Sequence, residues 1–464
     1  MDIADIRSLH ALQKQYFTRQ GTKPLAARIQ ILKTLKQLIL RYESRLLRAM
    51  QQDLRKPETE AATAEIWYVI KEIDSTLRQL KGWMRPRRTR TPLLHFRASS
   101  YIYSEPYGQT LIISPWNYPF LLLFSPLLGA LAAGNVAILK PSELAPHTAA
   151  VIEEMINSTF ESGLVHVVFG DAETARALLS LPFDYIFFTG GTQIGKLVLK
   201  AAAEYLTPVT LELGGKSPAI VDQSADLEVA ASRLVWGKFL NAGQTCIAPD
   251  YLLVHHSVHA DLVRRLSDKI KDYYGPDPEK SPDLARIINR DHFNRLAALL
   301  DPQKVVHGGQ VNAQTRYIAP TLLDGVTPDD PVMREEIFGP ILPVISYETL
   351  EEAIRIVQLH PNPLALYIFT READTEKRII QEIPFGGGCV NDVISHMINE
   401  EIPFGGRGAS GMGAYHGKHT FDTFSHQKSI LRRANRPDLP LRYPPYRIEN
   451  RVMRFIFSLA SWLY

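Results

Sequence analysis

Residues 185–206 read YIFFTGGTQIGKLVLKAAAEYL. A short apolar and aromatic run meets a pair of glycines, and the residues after them are apolar at helical spacing. Strand, tight turn and helix in this order form the first part of a parallel βαβ unit. Gly190, Gly191 and Gly195 permit the turn and a close approach by another group, and the N-terminus of the next helix suits an anion. The spacing is not the usual dinucleotide fingerprint, because Thr192 stands where that pattern needs its second glycine. The turn therefore admits a structural reading beside a phosphate-binding one.

The same alternation extends outward. Upstream, Thr110–Ser114, Val136–Lys140 and Val165–Phe169 read as strands, with a helix over 146–160. Downstream, a second α/β region runs from about 213 to 408. Residues 1–80 read as mainly helical, with Ile29, Leu32, Leu35 and Ile39 at helical spacing. Prolines and arginines break the pattern at 85–92, and Tyr101–Ser104 reads as a strand before a turn at Pro106 and Gly108. No repeat and no low-complexity tract interrupts the chain. The expected fold class is α/β.

At 464 residues the chain exceeds one ordinary domain, so two or three are expected. Its 45% hydrophobic and 22% charged content is that of a globular protein. A net charge of +3 without a recognisable module argues against nucleic acid as a partner. The run Arg85, Arg87, Arg88, Arg90 and Arg97 reads either as a solvated linker or hairpin or as a contact with anionic lipid. Two cysteines, Cys246 and Cys389, make no disulfide framework. The N-terminal residues have no signal-peptide pattern, and a reducing, cytoplasmic setting is expected. No apolar run reaches the ~20 residues that span a bilayer.

Several residues carry possible chemistry. Lys140 and Glu143 close a strand, where a carboxylate can hold a ribose hydroxyl and a lysine a ribose or phosphate; solvated charges at a strand end are the plain alternative. Cys246 lies in a loop among small residues and can be a nucleophile or a small buried hydrophobe, whereas Cys389 reads as the latter. Glu212 sits between Leu211 and Leu213, and burial there would raise its pKa toward general-base use. Asn117 lies between bulky neighbours and offers an amide donor for an oxyanion. Thiol, carboxylate and amide donor are the parts needed for acyl chemistry at a carbonyl. No metal is expected: His255 and His259 are four apart, but no third ligand stands at zinc spacing and no HExxH occurs.

The motifs PWNYP, LKPSE, FTGGTQIGK, LELGGKSP, GQTCIAP, EEIFGP and PFGGRGASGMG, in this order and spacing, resemble the aldehyde dehydrogenase superfamily. GQTCIAPDY, VNDVISH and LRYPPY look closest to class 3, which includes fatty-aldehyde dehydrogenases. The resemblance implies a Rossmann-variant cofactor domain over 1–92 and 111–212 and a catalytic domain over 213–408. It also implies an oligomerisation region over 93–110 and 409–434, and leaves 435–464 as a tail. It implies Cys246 as nucleophile, Glu212 as general base, and Asn117 with the Cys246 N–H as oxyanion hole. Lys140 and Glu143 would face the adenosine ribose. Trp116, Gly190, Gly191 and Gly195 would serve the cofactor, and Glu336 and Phe338 its nicotinamide ribose. The implied cofactor is NAD or NADP, with Glu143 favouring NAD, and the implied assembly is a homodimer.

The expected reaction is oxidation of an aldehyde to the acid through a Cys246 thioester, with a thiol pKa lowered by local donors or charge. A cofactor-free thiol hydrolase would need a histidine partner for Cys246, and a CoA-acylating enzyme would not need Glu212. The tail RIENRVMRFIFSLASWLY, read as a helix, places Arg447, Arg451, Arg454, Ser458 and Ser461 on one narrow polar stripe. It is too short to span a bilayer and reads either as a peripheral membrane contact through 448–464 or as a helix packed on the protein.

Overall fold

The computed structural model describes residues 2–92, 95, 97–436, 443–445 and 450–462, the side chains at 456, 457 and 459–462 excepted. Helix α1 (Ile3–Thr18) starts at a capping box: Asp2 accepts from the Asp5 N–H, and Asp5 accepts in return. Helix α2 (Leu25–Leu54) ends at Arg55 in a left-handed conformation. A short helix α3 (Glu58–Ala61) runs through a π turn (Ala62–Ile66) into α4 (Trp67–Trp83). The extra residue in this turn rotates α4 relative to α3, and such turns recur at functional sites; here Glu65, inside the turn, is fully buried.

Next come β1 (Arg87–Thr89), β2 (Ala98–Pro106) and β3 (Gln109–Ile113). After them stand α5 (Leu121–Ala133), β4 (Val136–Lys140), α6 (Pro146–Asn157), β5 (Val165–Val167), α7 (Ala172–Leu179), β6 (Tyr185–Thr189), α8 (Thr192–Ala203) and β7 (Val209–Glu212). The basic run is thus partly a strand: β1 pairs antiparallel with β2, Arg87 opposite Ile102. The Tyr101–Ser104 strand is longer than its sequence pattern suggests.

The second half holds β8 (Pro218–Val221), α9 (Leu227–Phe239), β9 (Tyr251–His255), α10 (His256–Tyr274), α11 (Arg290–Ala297), β10 (Val305–His307), β11 (Val311–Asn312), β12 (Tyr317–Ile318) and β13 (Thr321–Leu323). It continues with α12 (Pro331–Arg334), β14 (Ile341–Tyr347), α13 (Leu350–Gln358), β15 (Ala365–Phe369), α14 (Ala373–Glu382) and β16 (Gly387–Val390). The chain then returns through β17 (Gly411–Met412), α15 (Lys418–Thr423) and β18 (Ser425–Arg433), and α16 covers Asn450–Trp462.

The expected α/β class holds. One sheet has the order β17-β7-β6-β3-β4-β5, parallel except for β17; a second has the order β10-β13-β14-β9-β8-β15-β16, parallel except for β10. A third joins β1, β2 and β18 in antiparallel register. Strands β3, β4 and β6 are buried at every position, as parallel strands covered on both faces must be. Helix α5 is apolar all round and wholly buried, so it fills the interior rather than a surface. The carboxyl ends of β3, β4, β6 and β7 carry Ser114, Lys140, Gly190 and Glu212, the edge where open parallel sheets bind ligands.

Candidate active site

The loop bearing Cys246 is built by its neighbours. After α9, Asn241 and Ala242 adopt left-handed conformations (φ 52° and 53°) in a tight 3-10 turn. Gly243 comes next at φ 73°, where an added Cβ would lie 2.3 Å from the Gly339 carbonyl oxygen; only glycine fits. Gln244 is fully buried and pins the turn. Its side-chain amide donates to the carbonyls of Asn241 and Arg286 (both 3.0 Å) and accepts from the Ile288 N–H at 3.0 Å. Its own carbonyl accepts from Asn117 Nδ2 at 3.0 Å. Tyr118 and Thr245 share a hydroxyl contact of 2.9 Å.

Asn117 is clamped from its other side by residues that the sequence motifs do not reveal. Lys56 Nζ donates to the Asn117 carbonyl at 2.9 Å and pairs with Glu65, both side chains being fully buried. The second Glu65 oxygen accepts from the N–H groups of Phe120 (2.9 Å) and Leu121 (3.2 Å), which open α5. A buried pair with its remaining hydrogen-bonding capacity used in this way is the tolerable form of such an arrangement.

Cys246, Asn117, Glu212, Glu336, Phe338, Trp116, Gly190 and Gly191 line one cavity of about 500 Å³. Lys140, Glu143 and Gly195 stand outside its wall. Lys140 and Glu143 form an ion pair at 2.8 Å at the end of β4. Gly195 lets α8 approach β7, since a Cβ there would meet the Leu213 side chain at 2.6 Å. Cys389 lies on β16 with its sulfur 3.5 Å from His396 Nδ1.

Both carboxyl oxygens of Glu212 are buried without a hydrogen-bond partner among the described residues, and burial pushes its pKa well above the ordinary carboxylate range. Glu336 is pushed up to about 8, chiefly by burial and then by the charge of Asp250. Its carboxylate lies against Gly214, where a Cβ would come within 1.9 Å. The Cys246 thiol is also driven up, first by burial and then by Glu336 and Glu212. Sequence reasoning expected the opposite direction; burial and through-space carboxylates, invisible in GQTCIAP, outweigh the backbone donors.

The carboxyl edge of the first sheet holds two buried hydroxyls. Ser114 Oγ after β3 and Thr189 Oγ1 at the end of β6 are buried without partners among the described residues. Gly191 faces open space within 4 Å. Buried polar atoms beside an open glycine turn fit a polar ligand that bonds to them.

The model of the aldehyde dehydrogenase family matches residues 2–430. The chain belongs to that family. It is 48% identical to the 4,4'-diaponeurosporen-aldehyde dehydrogenase of Staphylococcus aureus over 96% of this chain and 97% of the relative. It is 46% identical to aldehyde dehydrogenase family 3 member A2 of Rattus norvegicus (93% and 90% covered). It is 43% identical to the dimeric NADP-preferring aldehyde dehydrogenase of Mus musculus (96% and 98%). A solved structure of Staphylococcus aureus AldH in a substrate-bound state superposes with TM-score 0.96 at 47% identity, covering 97% and 99%. The class 3 resemblance is thereby borne out. This aldehyde dehydrogenase is an oxidoreductase that oxidises aldehydes with NAD or NADP.

Proposed function

We propose that this aldehyde dehydrogenase oxidises apolar aldehydes of medium or long chain to carboxylic acids through a thioester on Cys246. The observation that carries the reading is the cavity that Cys246, Asn117 and Glu212 share with the Gly190–Gly191 turn, whose further wall includes Leu121, Leu122, Ile394, Met397, Ile398 and Phe404. Gly190, Gly191, Trp116, Glu336 and Phe338 would hold the cofactor, with Lys140 and Glu143 at its adenosine ribose. The Glu143 carboxylate would repel a 2′-phosphate and favour NAD. When bound, the nicotinamide supplies the hydride acceptor.

The Cys246 sulfur bonds to the aldehyde carbon, and its proton passes to an ionised cavity carboxylate, Glu212 or Glu336. Asn117 Nδ2 and the Cys246 N–H hold the oxygen as negative charge grows there. Loss of hydride from the carbon leaves the thioester. Once the carboxylate has lost that proton to solvent, Glu212 takes a proton from the attacking water, the carbon–sulfur bond breaks, and the proton returns to the sulfur as the acid is released. The test is kcat/KM over straight-chain aldehydes of graded length, with 4,4'-diaponeurosporen-aldehyde beside them. We expect a rise with chain length and loss of turnover in Cys246→Ser; a flat profile or an active serine variant overturns the reading.

The division into a cofactor domain (1–92, 111–212), a catalytic domain (213–408) and an oligomerisation region (93–110, 409–434) is part of the same proposal, as is a cytoplasmic homodimer. Support for the dimer is the largely exposed β18, with Ile430 and Leu431 open to solvent, and the word dimeric in the mouse relative's name. Among the described residues no helix is long and apolar enough to cross a membrane. In α16, Arg451, Val452, Arg454 and Phe455 are exposed, while Arg447, Leu463 and the side chains of Ser461 and Trp462 lie outside the described residues. We propose peripheral membrane contact through this tail. Liposome co-sedimentation of the full chain against a chain lacking 448–464 tests it, and equal behaviour removes it.

A further inference from the structure

One carboxylate in the cavity wall takes no part in the chemistry above. Glu60, on α3, lines the same cavity as Cys246, next to Thr59, Thr63, Trp236 and Leu240. Its Oε2 accepts from the Asn241 N–H at 3.0 Å, which fixes the carboxylate against the turn before the nucleophile. The charged group that acts on it favourably is Lys56, but Lys56 is already committed to Glu65 and to the Asn117 carbonyl. The other groups facing it are Asp283, which adds negative charge, and the buried phenols Tyr118 and Tyr274, which stay neutral. Burial brings Glu60 up to about 7, against the pull of the Asn241 N–H and Lys56. Above neutral pH, then, the wall carries an ionised carboxylate with no ion pair of its own among the described residues.

An aldehyde that places its carbonyl at Cys246 must lay the rest of its length in this cavity. A neutral tail meets the Glu60 carboxylate without charge repulsion, whereas an anionic tail meets a like charge in a partly desolvated space. We infer that Glu60 is a specificity-determining residue that rejects aldehydes carrying a second negative charge, such as an ω-carboxylate, and passes neutral ones of the same length. The inference rests on the substrate reading above, because it requires the aldehyde to occupy this cavity.

The experiment compares kcat/KM for hexanal and for 6-oxohexanoate in the full-length enzyme with saturating cofactor, in wild type and in Glu60→Gln. At pH 8.5 the preference for hexanal should fall in Glu60→Gln by about tenfold or more, the scale of one like-charge contact in a partly screened site. A second measurement follows the same preference from pH 8.5 to 6 in both enzymes: Glu212 and Glu336 line the cavity in each, so the shrinkage that Glu60 causes as it gains its proton is the part missing in Glu60→Gln. An unchanged ratio in Glu60→Gln at pH 8.5, or the same pH dependence in both enzymes, overturns the inference. If wild type fails to oxidise hexanal at all, the substrate reading fails instead, and the two failures are distinct.

Discussion

The side-chain amide of Asn117 donates to the backbone carbonyl of Gln244 at 3.0 Å, two residues before Cys246. One amide hydrogen thus ties the two loops together; in the proposed mechanism the other would meet the reacting oxygen. Asn117→Ala should lower kcat/KM by roughly 10²–10³-fold, the usual effect of losing one oxyanion donor. Cofactor affinity, read from quenching of tryptophan fluorescence, should change little. A loss below tenfold would mean that the amide serves the loop alone.

Lys56→Met strands Glu65 in the interior. Breaking one side of a buried pair costs about 3–5 kcal/mol, so the variant should unfold at clearly lower urea. The double variant Lys56→Met with Glu65→Gln carries no buried charge at this spot and should recover part of the loss. Both should turn over more slowly than wild type, because the Asn117 carbonyl loses its donor. A single variant as stable as wild type would refute the clamp.

Glu212→Gln should still transfer hydride but hydrolyse its thioester slowly. Rapid mixing would show a burst of reduced cofactor and then a slow steady state. Disappearance of the burst with cofactor still bound would assign Glu212 to thiol deprotonation as well.

Glu336 is raised by burial to about 8 from an unfolded value near 4.5. Its contribution to stability is complete below about pH 4.5 and is lost as pH climbs through about 8, because the unfolded chain ionises first. Glu336→Gln should therefore raise the Tm of the cofactor-free enzyme at pH 8.5 and leave it nearly unchanged at pH 5. The same Tm difference at both values would contradict the raised pKa.

Glu143→Gln removes the carboxylate paired with Lys140. The ratio of kcat/KM for NADP over NAD should rise, since a 2′-phosphate would no longer face that charge. A constant ratio would show that Glu143 does not read the 2′ position.

Much of this was legible in sequence for a local reason. Apolar runs ending in Gly190–Gly191 or in Lys140 announce parallel strands, and Cys246, Glu212 and Asn117 each stand out against their immediate neighbours. Glu60 and Glu65 do not, because ETEAATAEI reads like the solvated face of any helix. Only the π turn and the packing of α5 bury Glu65, and only the left-handed Asn241 brings a donor to Glu60. The direction of the Cys246 pKa was misread for the same cause: it is set first by burial and then by Glu336, which is distant in sequence and near in space. Strand order in the two large sheets likewise depends on contacts between remote segments.

Glu212 closes β7 of one large sheet, whereas Cys246 hangs between α9 and β9 of the other, and the chain crosses from sheet to sheet in the few residues between Glu212 and Pro218. With the roles proposed for Cys246 and Glu212, neither half would own a working centre. A displacement of about 1 Å at a reacting group can cost on the order of 10²-fold in rate. Turnover therefore gauges how well the two sheets are seated on each other. On warming, activity should fade while circular dichroism still reports intact strands and helices, and additives that tighten the seam should protect the rate more than the melting curve.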